Sequence, residues 1–583
     1  MDNVMLAPDT IAYLLRKRAL AYPRDTAYSF PEINQHLSWG MLWHEARLAA
    51  RGLLQAGVQK GDAVAVWMTG RQELIVSMFA AACIGAVIVP LNTYSKKDEL
   101  CAFLQSASPR VLIMGSEGHH LDYIEAISGL LREQAGASWL PRAIFVTDGG
   151  SSLPAPLRPY EDLLTLASPV DEQTLHVVMR LVTPADPLIL LFTSGTVGAP
   201  KGVLRTTASF LSMAPKSTPA PRGLPWPLER LTDAIARRFA VMNLLPLYHL
   251  GGFGTIFTNL KMCNVRIVML RYFHPSHAID AIHGERCRVL IGTPYMVQRV
   301  LACAQDGLHR LSSLIGISFT SAAVSRELLQ RVNRDLRLLF FMVTYGSSEA
   351  GAVANGTCFL DGRQSLPLRA LFKLLTRTRL LSGAIGYDDF ERNPYSLAGL
   401  IDRCVDVRVQ HPVTGEPLGP REEGEIAVRS HRVMRYWREN RERPSLTTDG
   451  WYRTGDLGYV EEERMLTITG RLHRLISRGG EKISPLEIEG RLLEHADIVD
   501  AFALGIHDEL YGEQICACVV LRQDAALGEQ DVRLHLSTRL SAFKMPQYLI
   551  ILPELPLSPT GKVAVPDITK LALARIGERR RHA

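Results

Sequence analysis

The stretch LILLFTSGTVGAPKGV, residues 188–203, decides how the rest of the chain is read. An apolar run from Leu188 stops at a cluster of glycines and hydroxyls, and Lys201 follows. Such a run reads as a buried strand. A loop dense in Gly, Ser and Thr leaves backbone N–H groups free to face an anion, with the hydroxyls as further donors and the lysine as a positive charge. It is not the G-x-x-x-x-G-K-[ST] loop, which opens into a helix at its lysine. Here Lys201 follows Pro200 and precedes Gly202, so no helix begins there. Taken alone, the stretch is an anion-holding loop after a strand, or simply a polar surface turn.

Working outward, DAVAVWM (62–68), AVIVPL (86–91), RVLIM (110–114) and RAIFVTD (142–148) read as further buried strands, with helical periodicity at 41–56 and 97–106. Strands alternating with helices predict an α/β architecture with largely parallel sheets. The segment LIVSMFAAACIGAVIVPL, residues 74–91, carries no charge and is long enough for a membrane span. Gly85 divides it, however, and Pro90 ends its β-branched half, so the expected reading is a buried helix, a tight turn and a buried strand. From about Leu400 the texture changes. CVDVRVQHPVTGEPLGP, GEIAVRS and MLTITG look like short antiparallel strands joined by Gly/Pro turns, and beyond Gly470 a compact last piece has a helix (485–495) and the strand ICACVVLR. The 583 residues exceed what one hydrophobic core serves, and a domain boundary is expected near 470–474, giving domains 1–471 and 472–583.

Composition excludes little but points in one direction. The chain is 47% hydrophobic and 21% charged, with a net charge of +6, much of it from the terminal RIGERRRHA. That distribution argues only weakly for a nucleic-acid or membrane partner, and no nucleic acid is expected. The nine cysteines are scattered, with only Cys516 and Cys518 close together and no C-x-x-C pair. Reduced thiols and a cytoplasmic location are expected, and Asp2 and Asp9 interrupt any apolar core of a signal peptide.

Four distant motifs extend the opening stretch. FFMVTYGSSEAG (340–351) ends a strand in an aromatic, two hydroxyls and Glu349, an oxygen ligand of the kind Mg²⁺ takes. GWYRTGDLGYV (450–460) sets Asp456 in a glycine-flanked turn, where a carboxylate can accept hydrogen bonds from ribose hydroxyls. GRLHRLISRGGEKISPLEIE begins with Gly470 and Arg471, and LPLSPTGKV (555–563) presents Lys562 on a turn. In this order, over nearly the whole chain, the set resembles the adenylate-forming superfamily of acyl- and aryl-CoA synthetases, firefly luciferase and peptide-synthetase adenylation domains.

The resemblance implies a large N-terminal domain of two α/β subdomains plus a small β-barrel-like subdomain, followed by a small mobile α+β C-terminal domain. It implies ATP-dependent conversion of a carboxylic acid to acyl-AMP with loss of pyrophosphate, then displacement of AMP by a thiol. In these terms Thr193, Ser194, Gly195, Thr196, Gly198 and Lys201 hold the β- and γ-phosphates, and Glu349 with Thr196 takes Mg²⁺. Ser321 and Ala322 of the TSAA loop, with Tyr345, Gly346 and Ser348, complete the nucleotide site. Asp456 holds the ribose, Arg471 the ribose or α-phosphate, and Lys562 bridges the substrate carboxylate and the α-phosphate. The segment NLLPLYHLGGFG (243–254) matches the family's acyl-pocket segment. His249, Gly251, Phe253, Tyr295 and Ala323 are expected to line that pocket, with His249 orienting the carboxylate. His473, Arg478, Gly480 and Lys482 are expected at the hinge and on the path of the thiol, Gly480 because only a glycine lets pantetheine pass so close.

The expected cofactors are ATP, Mg²⁺ and coenzyme A, or the phosphopantetheine of a carrier protein. The expected partner is a small-molecule carboxylic acid lacking an α-amino group, since no aspartate stands near 243–254 to bind one. Two other readings accompany this one: an acyl-AMP ligase loading a carrier protein or an amine, and a degenerate member that binds without turnover. The chain departs from the family pattern at Val197 for a threonine, Thr320 and Ser321 for small residues, Ser348 for a threonine, and His473 at the hinge, where a histidine could make rotation pH-sensitive; Val197, Thr320 and His473 weigh toward the latter reading. Retention of Glu349, Asp456 and Lys562 weighs against it. The basic stretch LPLRALFKLLTRTRLL, 366–381, repeats leucines at helical spacing and suggests a peripheral contact with a membrane or a partner protein, or a helix packed on the body.

Overall fold

The computed structural model describes residues 6–118, 121–150, 153–193, 201–212, 239–260, 264–322, 324, 326–336, 338–360, 384–385, 396–436, 446–447, 449–461, 464–478, 481–522, 525–558 and 562–582. Pro187–Thr193 is a strand, parallel to Val87–Pro90 and antiparallel to Lys201–Thr206. The intervening Ser194, Gly195, Thr196 and Gly198 lie outside the described residues, as do Ala323, Gly480 and the 366–381 segment.

An eight-stranded sheet runs in the order Arg435–Tyr436, Lys201–Thr206, Pro187–Thr193, Val87–Pro90, Ala63–Trp67, Val111–Gly115, Ala143–Thr147 and Leu157–Pro159. From Pro187–Thr193 to Leu157–Pro159 every pairing is parallel. Alternate residues of Ala63–Trp67 pack on opposite faces: Val64 and Val66 against helices Trp39–Gln55 and Gln72–Cys83, Ala65 and Trp67 against helices Lys97–Ala107 and Tyr123–Glu133. With both faces covered, these strands need apolar residues at every position, which is why they read as continuous hydrophobic runs. The uncharged 74–91 segment divides as its sequence suggests. Helix Gln72–Cys83 ends, Gly85 turns at φ +72°, and strand Val87–Pro90 follows, with every residue from Leu74 to Leu91 buried. Among the described residues no helix is long and apolar enough to cross a membrane.

A fourteen-stranded sheet carries the second α/β unit, with Thr26–Phe30, Arg266–Met269, Ala240–Asn243, Val289–Gly292, Gly316–Thr320 and Phe340–Ser347 in parallel. The strands expected in the small β-barrel-like subdomain are hydrogen-bonded in series to this second sheet. Gly351–Phe359 folds straight back on Phe340–Ser347, and an antiparallel run through Ser396–Ile401, Met465–Arg471, Tyr452–Val460, Gly424–Arg429 and Asp406–Gln410 continues the same sheet. The tight return depends on Gly346, because a Cβ there would stand 2.2 Å from the Gly351 carbonyl oxygen.

The hydrogen-bonding changes hands after Arg471. A single 3₁₀ turn, Leu472–Arg474, leads into a five-stranded sheet made of Glu481–Ile483, Ile476–Arg478, Gly512–Leu521, Ile498–Asp508 and Tyr548–Leu552. Helices Pro485–Leu493 and Glu529–Ser537 cover one face of this sheet and helix Val565–His582 the other, each with its own core cluster. This piece meets the rest of the chain where Ser484 Oγ donates to the Thr469 carbonyl (2.8 Å) and where the Gln298 side-chain amide donates to the Val499 carbonyl.

Candidate active site

Four of the sequence-predicted residues meet at the C-terminal end of strand Phe340–Ser347. Strands Tyr452–Val460 and Met465–Arg471 pair so that Asp456 stands directly opposite Arg471. Arg471 Nε donates to Asp456 Oδ1 at 2.6 Å, and the Tyr345 hydroxyl donates to Asp456 Oδ2 at 2.7 Å. Asp456 is buried, whereas Arg471 keeps half of its side chain exposed. Burial, reinforced by the Asp456 charge, pushes the Tyr345 phenol well above its ordinary value, so it stays a donor. Burial pulls the Arg471 guanidinium down, but Asp456 more than offsets this, and the net shift is upward.

Glu349 lies in the turn after that strand. Its carbonyl accepts from the Met434 N–H at 2.9 Å, and the Ala350 N–H donates to Ser347 Oγ at 2.9 Å. Its half-buried carboxylate makes no hydrogen bond or ion pair among the described residues, yet it lies within electrostatic reach of Arg205, Arg471 and Lys562. A carboxylate left unpartnered among cations suits a hard cation carried in with polyphosphate, so the residues present fit Mg²⁺.

Lys562 reaches this cluster from the C-terminal sheet. It sits on a turn in which the Ser558 N–H donates to the Lys562 carbonyl at 2.7 Å, closed by the Leu557–Val563 bridge. The residue is open to solvent along its outer side, while its ammonium feels Arg471, Asp456 and Glu349. Burial first, and then the Arg471 charge, hold its pKa below the usual lysine value. His249 caps the N-terminus of helix Leu250–Thr258, and burial, aided by the Lys562 charge, lowers its pKa to about 4. It is therefore neutral at physiological pH. Its Nε2 is buried without a hydrogen-bond partner among the described residues, and an orphaned buried nitrogen is the mark of a missing polar ligand.

The other predicted residues divide. Gly251 faces the TSAA loop, since a Cβ on it would lie 3.8 Å from Ser321 Oγ and 3.9 Å from Thr320 Cγ2. Ser321, at φ +72°, and Ala322 are exposed on that loop. Phe253 belongs to the core: it is fully buried in an aromatic group with Phe210 and Phe257, because its face of the helix turns inward. Tyr295, half-buried, looks across to the C-terminal piece, where Asp500 and Glu554 face it. Neither lines the cavity found between the two α/β units. This cavity, of about 60 Å³, is bounded by Val66–Gly70, Pro90–Tyr94, Asn243–Tyr248 and Met269–Phe273, at the C-terminal ends of parallel strands from both sheets. Arg478 donates from Nη1 to the Phe543 carbonyl (2.6 Å) and lies over the Tyr511 ring, away from the cleft. Burial and the neighbouring Arg471 charge hold the His473 pKa below the ordinary histidine value. Thr193, Lys201 and Lys482 have described backbones, at the ends of strands Pro187–Thr193 and Lys201–Thr206 and within Glu481–Ile483.

Sequence reasoning missed two residues. Arg205 and Arg432 are both fully buried. Arg205 Nε and Nη2 donate to the Ser348 carbonyl at 3.1 and 2.5 Å, and its Nη1 donates to the Arg432 carbonyl at 2.5 Å. Arg432 donates to the Ser212 and Ala352 carbonyls at 2.6 and 3.0 Å and pairs with Asp402 at 3.2 Å. The available signal was an arginine embedded in the strand-like KGVLRTT.

Comparison with known proteins bears on the family and the fold. A family model described as AMP-binding enzyme matches residues 15–437, and one described as AMP-binding enzyme C-terminal domain matches 487–562. The putative acyl-CoA synthetase YngI of Bacillus subtilis is 25% identical over 572 residues, covering 96% of each chain. The mitochondrial medium-chain acyl-CoA ligase ACSF2 of Danio rerio is 26% identical over 580 residues, covering 96% of this chain and 87% of the relative. In fold the chain is similar to ATP-bound MatB of Rhodopseudomonas palustris, with a TM-score of 0.75, 22% identity, and coverage of 97% of this chain and 99% of that one.

Proposed function

The chain belongs to the AMP-binding enzyme family, and on that premise we propose that its cleft activates a carboxylic acid at the His249–Lys562 corner. The enzyme is an ATP-dependent, AMP-forming acid–CoA ligase: the acid becomes acyl-AMP with release of pyrophosphate, and the thiol of coenzyme A displaces AMP. The observation that carries the assignment of roles is the convergence of Lys562, from the C-terminal sheet, on His249, Glu349, Asp456 and Arg471 from the rest of the chain.

A carboxylate is a poor acyl donor because oxide would have to leave. Attack of its oxygen on the α-phosphorus of ATP replaces that leaving group with AMP. The step requires charge neutralisation and alignment, which fixed cations supply without reorganisation. We assign Lys562 to the oxygen bridging acid and α-phosphate, as a compact point charge on a flexible stem. Neutral His249 offers Nε2 to the acid's carboxylate as a hydrogen-bond donor rather than as a charge. Asp456, oriented by Tyr345 and Arg471, accepts from the ribose hydroxyls. Glu349 is the residue that would hold Mg²⁺, which supplies neutralisation of the departing pyrophosphate. We place the hinge between the two halves at Leu472–Arg474, where the hydrogen-bonding changes sheets.

The substrate is a small-molecule carboxylic acid, and coenzyme A is the acceptor. A hydroxamate-trapping screen over a carboxylic acid library, with and without CoA, tests this reading. Trapping with at least one acid, and a CoA-dependent thioester with the same acid, is expected. A carrier protein acylated in the absence of CoA would replace CoA as the acceptor.

A further inference from the structure

A metal-binding carboxylate is only as well placed as the backbone that carries it. The Glu349 turn is closed at its base by the Ser347–Gly351 pair and by the Ala350 N–H on Ser347 Oγ. It is held from outside as well. Arg205 sits on strand Lys201–Thr206, which leaves the loop after Thr193, and its guanidinium closes on the Ser348 carbonyl with two donors. Its third anchor is the Arg432 carbonyl, and Ser209 Oγ stands 3.3 Å from the same Nη1. Two residues beyond Arg432, the Met434 N–H holds the Glu349 carbonyl. The chain continues into Arg435–Tyr436, which pairs with Val203 and Leu204 on the strand that carries Arg205. The circuit is closed: strand 201–206 holds Ser348, Ser348 leads to Glu349, Glu349 is held by Met434, and the following pair returns to strand 201–206.

Every hydrogen bond of the Arg205 guanidinium goes to a neutral oxygen, and the carboxylate that acts on its charge is that of Glu349. A fully buried arginine spent on backbone carbonyls rather than on a buried acid is costly unless its geometry matters. We infer that Arg205 is the positioning residue of the metal site, fixing Glu349 at a set distance from the phosphate-holding strand. The inference rests on the reading of Glu349 as the Mg²⁺ ligand. It adds that the planar fork of an arginine, not positive charge alone, is what the position requires.

The test is metal affinity rather than turnover. Mn²⁺ binding to the enzyme in the presence of a non-hydrolysable ATP analogue is followed by electron paramagnetic resonance in wild type, Arg205→Met and Arg205→Lys, alongside AMP affinity by calorimetry. Removing a residue that orients a metal ligand weakens metal binding by about ten- to a hundred-fold, and that loss is expected in Arg205→Met. Arg205→Lys, with charge but no fork, is expected to recover less than half of it on a logarithmic scale, while AMP affinity stays within about two-fold of wild type in both. Where Arg205→Met does not fold, Arg205→Lys and Ser209→Ala, which trims one anchor, carry the test with the same order of effects. Unchanged Mn²⁺ affinity overturns the inference, as does full recovery in the lysine variant or an AMP affinity that falls in step with the metal. A wild-type protein that binds the analogue but no Mn²⁺ with it overturns instead the reading of Glu349 as a metal ligand.

Discussion

The two sides of the cleft differ in how their polar groups are satisfied. On one side, Asp456, Arg471 and Tyr345 are joined to one another at 2.6–2.7 Å. On the other, among the described residues, the Glu349 carboxylate, the Lys562 ammonium and His249 Nε2 have no hydrogen-bond partner. Under the proposed roles, the first side is pre-organised by the protein to receive a ribose, and the second would be completed by polyphosphate with its metal and by the acid. Truncations on the open side should therefore damage the chemical step, and truncations on the closed side should damage binding.

The largest expected effect is on the open side. Lys562→Ala should slow adenylation, read as acid-dependent pyrophosphate exchange, by about a hundred- to a thousand-fold, the usual loss when one pre-organised transition-state donor is removed. Thioester formation from supplied acyl-AMP should be nearly untouched. Equal loss in both half-reactions would erase the distinction drawn for Lys562. On the closed side, Asp456→Asn should raise the KM for ATP by about ten- to a hundred-fold, as expected for a lost charge-assisted hydrogen bond of about 1.5–3 kcal/mol, with a smaller change in kcat. A kcat effect exceeding the KM effect would place Asp456 among the chemical groups instead.

How much of this was legible in the sequence follows the same divide. The parallel strands were readable because burial on both faces leaves no alternation to misread, as in Ala63–Trp67 and Val111–Gly115. Asp456, Arg471, Glu349 and Lys562 were nominated by the order of their motifs along the chain and the resemblance it carries, and the structure brings them within electrostatic reach of one another. Arg205 and Arg432 were not, because their meaning lies in contacts to carbonyls 143 and 80 residues away. The continuity of the antiparallel run with the second sheet was hidden for the same reason: local texture announces a strand but not its neighbour. Phe253 and Tyr295 fell to opposite fates, one to the core and one to the seam with the C-terminal sheet, because segment identity does not fix the direction of a side chain.

Two buried titrating groups give a smaller, signed test. The His249 pKa is depressed to about 4, so its neutral form is favoured by folding and the protein should lose stability as pH falls from 6.5 toward 4. Asp500, near the seam, is raised to about 6, mainly by burial, so folding favours its proton and stability should fall as pH rises from 3.8 toward 6. Each shift corresponds to a swing on the order of 3 kcal/mol, at about 1.4 kcal/mol per unit. In denaturation at pH 5 and pH 7.5, His249→Gln should reduce the acid loss, and Asp500→Asn should stabilise the protein at pH 7.5. Parallel shifts of both variants at both pH values would contradict the assignment. The smallest effect is expected at the joint, where Ser484→Ala removes the hydrogen bond to Thr469 and should cost about 1 kcal/mol, measured as a lowered unfolding midpoint with adenylation preserved.

The central claim is that this cleft joins an acid to AMP before any thiol takes part. Exchange of labelled pyrophosphate into ATP, with CoA omitted and a broad panel of carboxylic acids supplied, tests it most directly. The account predicts exchange that depends on at least one acid and on Mg²⁺. Binding of ATP with no acid-dependent exchange from any member of the panel would contradict it.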